Sequence, residues 1–195
     1  ISMRLMNIST AEGVSMIANA ANKPMASVSW WHVLVDNSKL KPSDIGWTFT
    51  PSIGSPKDRE SLIKGLSDGV LQTIAVHSIP LNDYEIKQPS SSRSSGLSGY
   101  QLVLPLLWQE LIGDWNWSIE QLWEAISFSP SRMLNLPEEK LEEGSPRWMI
   151  FDSEKRWYQE IEKKKSFSTA NQPFEGKEII GKVIACGLKK SIQSD

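Results

Sequence analysis

The 195-residue sequence carries 21 lysines and arginines against 23 aspartates and glutamates, a formal net charge of −2, and 39% apolar residues. This balance is typical of a globular chain with one core, and the lack of a basic surplus argues against nucleic acid as a partner. No apolar run approaches the roughly 20 residues of a membrane helix. The single cysteine, Cys186, excludes an internal disulfide and a cysteine-rich zinc module.

The opening residues suggest that the sequence was cut from a longer polypeptide. It begins at Ile1 rather than at a methionine, and residues 1–6 are too short and too mixed for the apolar region of a signal peptide. Nothing in this opening points to secretion, so a cytoplasmic protein is expected.

The first elements in chain order are a short strand and a helix. Residues 4–8 have the character of a strand. Ser9 is followed three residues later by Glu12, which is the pattern of a capping box, and apolar residues then recur at helical spacing. The pattern predicts an amphipathic helix over residues 10–21.

Further strands and helices alternate up to residue 76. A strand is predicted over Met25–Ser29, and a polar loop over 37–55 follows it. Ser55 before a proline predicts the start of a helix. The continuous apolar run over 70–76 predicts a strand that is covered on both faces. This alternation is typical of βα units around a parallel sheet.

The second half of the chain has two parts. A serine- and glycine-rich loop over 89–99 precedes predicted helices over 102–112 and 118–128 and a short helix from Ser129. Beyond Gly144, strand-like segments at 148–151 and 178–186 enclose a charged stretch. We therefore predict an α/β unit over residues 1–140 and part of a small β unit over residues 141–195.

Most of the charged and tryptophan residues have ordinary structural explanations. Asp58, Glu60 and the pair Glu138–Glu139 are expected on solvated helix surfaces, and the lysine run 163–165 on a solvated surface. Scattered tryptophans are typical of a core or an interface rather than of catalysis. The nine tryptophans stand at positions 30, 31, 47, 108, 115, 117, 123, 148 and 157.

Only two histidines are available for metal binding or acid–base chemistry. His32 and His77 each lie at or just beyond the predicted end of a strand, which is the edge where barrel enzymes place catalytic groups. A catalytic zinc site needs about three protein ligands, and two separated histidines fall short of that number. The residues alone leave metal ligation and a hydrogen-bonded structural role open for both, and they do not identify a reaction.

Several short segments follow one another in an informative order. They read Asn-Ile-Ser-Thr-Ala-Glu-Gly at 7–13, Ala-Ser-Val-Ser-Trp-Trp-His-Val-Leu at 26–34, Thr-Pro-Ser-Ile-Gly-Ser-Pro-Lys-Asp-Arg-Glu at 50–60, Asp-Gly-Val-Leu-Gln-Thr-Ile-Ala-Val-His-Ser-Ile-Pro at 68–80, Ser-Gly-Leu-Ser-Gly at 95–99, Leu-Pro-Leu-Leu at 104–107, Ser-Pro-Ser-Arg-Met-Leu-Asn-Leu-Pro at 129–137 and Asn-Gln-Pro-Phe-Glu-Gly-Lys-Glu at 171–178. Together they resemble the C-terminal part of the dihydroorotases, a family of cyclic amidohydrolases.

The resemblance implies a fold and a reaction. The fold is a (β/α)8 barrel, of which this chain would supply about strands 6–8, followed by part of a small β unit. The family's zinc is held at the carboxyl ends of the strands by histidines, a carboxylate and often a carboxylated lysine. An aspartate at the end of the eighth strand moves the proton while dihydroorotate and N-carbamoyl-aspartate interconvert.

Several site positions depart from the family pattern. Asn7 stands where the sixth-strand histidine ligand is expected, and His77 stands where the eighth-strand aspartate is expected. A register shifted by one residue would instead match His77 to the neighbouring histidine and put Val76 in place of the aspartate. Leu81 replaces a histidine that contacts substrate, and Thr50 replaces an asparagine. In the seventh-strand segment, His32 matches the second of two paired histidines, and a tryptophan replaces the first.

These departures leave two hypotheses for function and leave it uncertain whether the protein is an enzyme. The first is a catalytically impaired homologue or fragment that acts as a scaffold, with aspartate carbamoyltransferase as the partner that the family implies. The second is an active zinc-dependent amidohydrolase in which His77 binds the metal and another residue moves the proton. Under either hypothesis, we do not expect this chain alone to bind zinc.

Overall fold

A computed structural model describes residues 3–40, 48–89, 92, 94–137, 140, 142–145, 147–159 and 170–187. Several segments lie outside this part of the chain, so the expectations for them stay predictions: residues 1–2, residues 41–47 with Trp47, Glu138–Glu139 and the lysine run 163–165. Within it, no helix is long and apolar enough to cross a membrane.

Three parallel strands form the first sheet, in the order β1 (Arg4–Leu5), β2 (Met25–Ser29) and β3 (Thr73–Ala75). Arg4 pairs with Met25, and Ser27 pairs with Thr73. The predicted parallel sheet is therefore confirmed, although its outer strands are shorter than expected. β1 ends early because Asn7 adopts a positive φ of 59°, and β3 starts late because Leu71 N–H bonds back to the Gly65 carbonyl at the end of a helix.

Helices follow each strand, as a βα arrangement requires. They are α1 (Ala11–Ala18), α2 (Trp30–Leu34), α3 (Pro56–Ser67) and the short α4 (Asp83–Ile86). α1 does not begin with the predicted Ser9 cap, because the Thr10 side chain accepts the hydrogen bond from Gly13 N–H. The α3 start is as predicted, with Ser55 as the N-cap and Asp58 completing a capping box.

The later helices are less regular than the sequence predicts. α5 (Val103–Leu107) continues into a π-helical turn over Trp108–Asp114, and α6 (Ile119–Trp123) continues into one over Glu124–Phe128, directly before α7 (Ser129–Met133). Ser129 N–H bonds to the Glu124 carbonyl five residues back, which is the wider π pattern. Pro130 follows with no N–H to donate, so the α-helical ladder cannot be restored there.

A long antiparallel hairpin makes up the small β unit. β4 (Trp148–Tyr158) pairs with β5 (Glu178–Gly187), with Trp148 opposite Gly187 and Tyr158 opposite Glu178. β4 continues past its predicted end at Phe151 through charged residues. It can do so because Arg156 is exposed and pairs across the ladder with Glu178, so that charge stays on the solvent side.

The hairpin contacts the helical layer through Gly181 and its neighbours. Gly181 has a φ of +95°, and a Cβ at this position would lie 2.7 Å from Phe151 Cζ and 3.5 Å from Pro105 Cα. Phe151 in turn packs against Trp108, with ring centroids 5.1 Å apart. Ile179 completes the contact as a buried member of the main core.

The core lies between the parallel sheet and the helices. Its fully buried members include Val28, Trp30, Trp31, Leu62, Ile63, Leu71, Leu107 and Leu122. The prediction that tryptophans serve the core is confirmed for Trp30, Trp31 and Trp117, whereas Trp148, at the far end of the hairpin, is 46% exposed.

Candidate functional site at the carboxyl ends of the parallel strands

Two predicted site residues meet at the carboxyl edge of the sheet. Asn7 follows β1 and His77 follows β3, and His77 Nε2 lies 2.9 Å from Asn7 Oδ1. Because an amide oxygen can only accept, Nε2–H is the donor and the lone pair of the neutral ring lies on Nδ1. The pair thus spans the sheet from one outer strand to the other, across β2.

The strand between them fixes the position of Asn7. Asn7 N–H donates to the hydroxyl of Ser27 at 3.1 Å, and Ile8 N–H donates to the Ser27 carbonyl at 2.8 Å. Ser27 is buried in β2. The positive φ of Asn7 is a conformation that asparagine adopts more readily than most residues. The sequence therefore aims the Asn7 amide along the edge of the sheet towards His77.

Trp30 fixes the backbone on the His77 side. Its indole Nε1–H donates to the His77 carbonyl at 2.9 Å. Trp30 is fully buried and lies against Trp31, with ring centroids 3.9 Å apart. Two large side chains thus fill the space directly after β2, next to the segment that carries His77.

His32 has a different environment from His77. It is 2% exposed within α2, with Nε2 3.2 Å from the Ser52 carbonyl and its ring edge-on to Phe49. Burial lowers the pKa of His32, and the hydrogen bond to the Ser52 carbonyl opposes this effect. Its Nδ1 has no hydrogen-bond partner in the part of the chain that the structure describes. These contacts favour the structural role for His32.

The segment after His77 is held by a residue that the sequence analysis did not single out. Leu81 is buried, and its N–H donates to Asn171 Oδ1 at 2.9 Å. Asn171 Nδ2 donates to the carbonyls of Ile79 and Gly96 at 2.8 and 2.9 Å. Asn171 falls in a motif of the family resemblance, but a lone asparagine in a polar loop has no periodicity that would mark it as buried.

Three other residues named in the sequence analysis make ordinary structural contacts. Thr50 Oγ1 donates to Ser95 Oγ at 3.0 Å on the surface. Asp58 is not the solvated carboxylate that was predicted, because it accepts from Ser55 and from Ala11 N–H at 2.8 Å and joins α3 to α1. The Ser55 hydroxyl, and then Ala11, lower the pKa of Asp58. Glu60 is exposed as expected and pairs with Lys64.

The described residues at this edge do not include the ligand set of a metal centre. Among the residues that the structure describes, no three histidine, cysteine, aspartate or glutamate side chains are grouped so that they could hold a metal ion. The nitrogen of His77 that faces Asn7 is already engaged, and a neutral amide is a poor ligand for zinc. The arrangement can bind a polar group through hydrogen bonds or accept a proton at His77 Nδ1.

Sequence comparisons find relatives that are named dihydroorotase or dihydroorotase-like protein. The chain is 33% identical to a "Probable dihydroorotase-like protein" of Synechocystis sp. over 94% of its own length and 43% of that protein. It is 31% identical to a dihydroorotase of Bacillus licheniformis over 87% of its own length and 40% of that enzyme. The chain thus spans less than half the length of these curated relatives. No family model matches it.

A solved structure shows the same fold. The crystal structure of dihydropyrimidinase from Brevibacillus agri superposes with a TM-score of 0.81 at 19% identity and covers 95% of this chain and 43% of its own. At this identity the likeness establishes the fold alone, and the chain shares the α/β fold of that structure.

Proposed function

We propose a function on the premise that the chain is homologous to the dihydroorotases over most of its length, as its motifs predicted. The proposal is that the protein keeps the barrel architecture of this family without its metal-dependent catalysis, and acts as a scaffold. Within that architecture, residues 1–140 would supply about strands 6–8 of a (β/α)8 barrel, and residues 141–195 would supply part of a small β unit.

The observation that carries the proposal is the hydrogen bond between His77 and Asn7. In the family pattern both positions serve the metal or the proton transfer. Here His77 Nε2–H donates to Asn7 Oδ1 at 2.9 Å, so one ring nitrogen of His77 is engaged by the residue that stands in place of the family's ligand. Losing one such group commonly costs orders of magnitude in rate, and Leu81, at a third position, is buried and has no polar side-chain atom.

Zinc, which the resemblance implies, does not fit the residues of this edge. Zinc needs about three protein ligands, and the described residues offer His77 without two others beside it.

A scaffold needs a partner, and aspartate carbamoyltransferase is the partner that the resemblance suggests. The proposed place of action is the cytoplasm. The apolar end of the hairpin, where Trp148, Met149 and Ile150 are exposed, has the composition of a protein contact surface.

An active amidohydrolase with altered ligation is the second candidate. It is favoured by the tautomer of His77, whose lone pair lies on Nδ1 and does not face Asn7. This nitrogen could bind zinc if further ligands came from elsewhere in a longer protein, and dihydroorotate would then be the substrate.

The deciding experiment is an assay of dihydroorotate hydrolysis by the protein at its natural length, with added zinc and with measurement of bound metal. His77→Ala is compared with Val76→Ala, a neighbouring change on the same segment that leaves the ring in place. Absence of turnover and of bound zinc in the unchanged protein is the expected result. Turnover that His77→Ala abolishes and Val76→Ala preserves would overturn the proposal and support the second candidate.

The scaffold role is tested separately by co-purification with aspartate carbamoyltransferase. Trp148→Ala should weaken the complex, whereas Tyr100→Ala, which removes another exposed aromatic ring far along the chain, should not. A complex that neither change affects would exclude the hairpin end as the contact.

A further inference from the structure

We infer that Asn171 is a positioning residue, which holds His77 in contact with Asn7 by locking the chain segment 77–81 in place. Asn171 precedes β5 and belongs to the segment 170–177, called the strap below. The inference holds whether or not the protein turns over a substrate.

Asn171 uses every polar atom of its side chain and its carbonyl inside the protein. Oδ1 accepts from Leu81 N–H, and Nδ2 donates to the carbonyls of Ile79 and Gly96. Its own carbonyl accepts from Ser98 N–H at 3.2 Å. Since Asn171 is 1% exposed, water cannot replace these bonds without opening the structure.

The segment 77–81 is held at nearly every residue. The His77 carbonyl accepts from Trp30, and the Ser78 hydroxyl accepts from Gly99 N–H at 3.2 Å. Ile79 N–H donates to the Leu97 carbonyl at 2.9 Å, and the Leu81 carbonyl accepts from Ala170 N–H at 2.7 Å. Asn171 bonds to the Ile79 carbonyl and to Leu81 N–H. Because it also contacts Gly96 and Ser98, it joins the strap to both the segment 77–81 and the loop 94–99.

The strap is also tied to the rest of the protein beyond Asn171. Phe174 stacks on Trp31 with centroids 6.5 Å apart. Gly176 N–H donates to the Gln159 carbonyl at 2.9 Å, at the end of β4. A movement of the hairpin would therefore reach the His77 segment through Asn171 and through the hydrogen bond between Ala170 and Leu81.

The loop 94–99 accommodates this contact by close approach. A Cβ on Gly96 would lie 2.5 Å from Ile79 Cβ, so only a glycine lets the loop come near enough for the Gly96 carbonyl to reach Asn171. The Asn171 amide can therefore bond to this loop only because residue 96 has no side chain.

The test is Asn171→Asp, which keeps the shape of the side chain but replaces both N–H donors by an acceptor facing two carbonyl oxygens. Asn135→Asp, on an exposed asparagine, adds the same charge and serves as the control. The readout is the ring nitrogen spectrum of His77, which reports the tautomer and the hydrogen bond to Asn7, together with hydrogen exchange of the amides. A residue that serves only general stability would not change the His77 tautomer in a folded variant.

We expect Asn171→Asp to mix the His77 tautomers and to speed exchange at Ile79, Ser98 and Ala170 by about tenfold or more, while Asn135→Asp leaves both unchanged. A folded Asn171→Asp variant with an unchanged His77 ring would overturn the inference. If the variant fails to fold, the unchanged protein decides: the amides of Ile79, Leu81, Ser98 and Ala170 should share one opening rate, and unrelated rates would contradict the inference.

Discussion

The parallel sheet and the hairpin reach stability by opposite routes. The parallel strands are short, at 2, 5 and 3 residues, but their residues are largely buried and their ends are tied by side chains such as Ser27 and Asn7. The hairpin strands are long, at 11 and 10 residues, yet many of their apolar side chains are exposed. Strand length is therefore a poor guide to which region holds the fold: burial and end contacts stabilise the first, and ladder hydrogen bonds stabilise the second.

The largest expected difference comes from one kind of substitution made in both regions. Trp30→Ala removes a fully buried ring and the hydrogen bond to the His77 carbonyl, so it should lower the free energy of unfolding by about 3–5 kcal/mol. Trp148→Ala should lower it by about 1 kcal/mol or less, because the ring is half exposed. Denaturant unfolding of both variants measures this, and equal losses would break the comparison.

The helices around the parallel sheet and the hairpin each contain an arginine–glutamate pair, and the two pairs differ in exposure. The Arg59 and Glu110 side chains are 14% and 15% exposed, and Arg59 Nε also donates to the Val33 carbonyl at 2.8 Å. Arg59→Met should cost about 2–3 kcal/mol, because it leaves a carboxylate and a carbonyl without this donor. Arg156→Met, at 64% exposure, should cost less than about 1 kcal/mol. A larger loss at Arg156 in thermal unfolding would contradict this contrast.

A smaller effect tests which residue caps α1 beside the sheet. Thr10→Ala removes the acceptor of Gly13 N–H and should cost about 1 kcal/mol. Ser9→Ala, the change that the sequence pattern alone would favour, should stay within about 0.5 kcal/mol. Chemical denaturation measures both losses, and a larger loss for Ser9→Ala than for Thr10→Ala would support Ser9 as the cap.

The smallest effect concerns pH, and it belongs to the parallel-sheet region because both histidines of the chain lie there. Burial lowers the pKa of His32 in the folded state, so the unfolded chain binds a proton first as the pH falls. The free energy of unfolding should therefore be highest above about pH 6.5, where His32 is neutral in both states, and should decrease as the pH falls below that value. His32→Leu should flatten this slope, and hydrogen exchange should show amides of the parallel sheet opening before those of the hairpin. A His32 ring that titrates at or above its ordinary pKa would exclude the effect.

Local sequence signals predicted the elements better than their ends. Met25–Ser29 and the Ser55 cap were predicted correctly because strand composition and a serine before a proline are encoded within a few residues. The early end of β1 depends on a backbone angle at Asn7, and the π-helical turns depend on which carbonyl each N–H reaches. Such features depend on tertiary packing, about which a local sequence pattern carries no information.

The candidate site was predictable only in part for a similar reason. The resemblance singled out Asn7 and His77, and the structure brings them into contact. The resemblance could not predict which tautomer of His77 makes this contact, or that the segment after His77 is held by Asn171. Both features depend on residues about 70–90 positions apart in the chain. Contacts of that separation leave no local pattern.

Gly181 has a further consequence for how the protein can vary. The hairpin rests on the helical layer at a position where one methyl group would collide with the Phe151 ring, and where the backbone angle already disfavours any side chain. A saturation library across β5 should therefore show tolerance at exposed positions such as Ile184 and almost none at residue 181. The contact between the hairpin and the helical layer therefore depends on a missing side chain at residue 181, and only the exposed positions of β5 can vary freely around it.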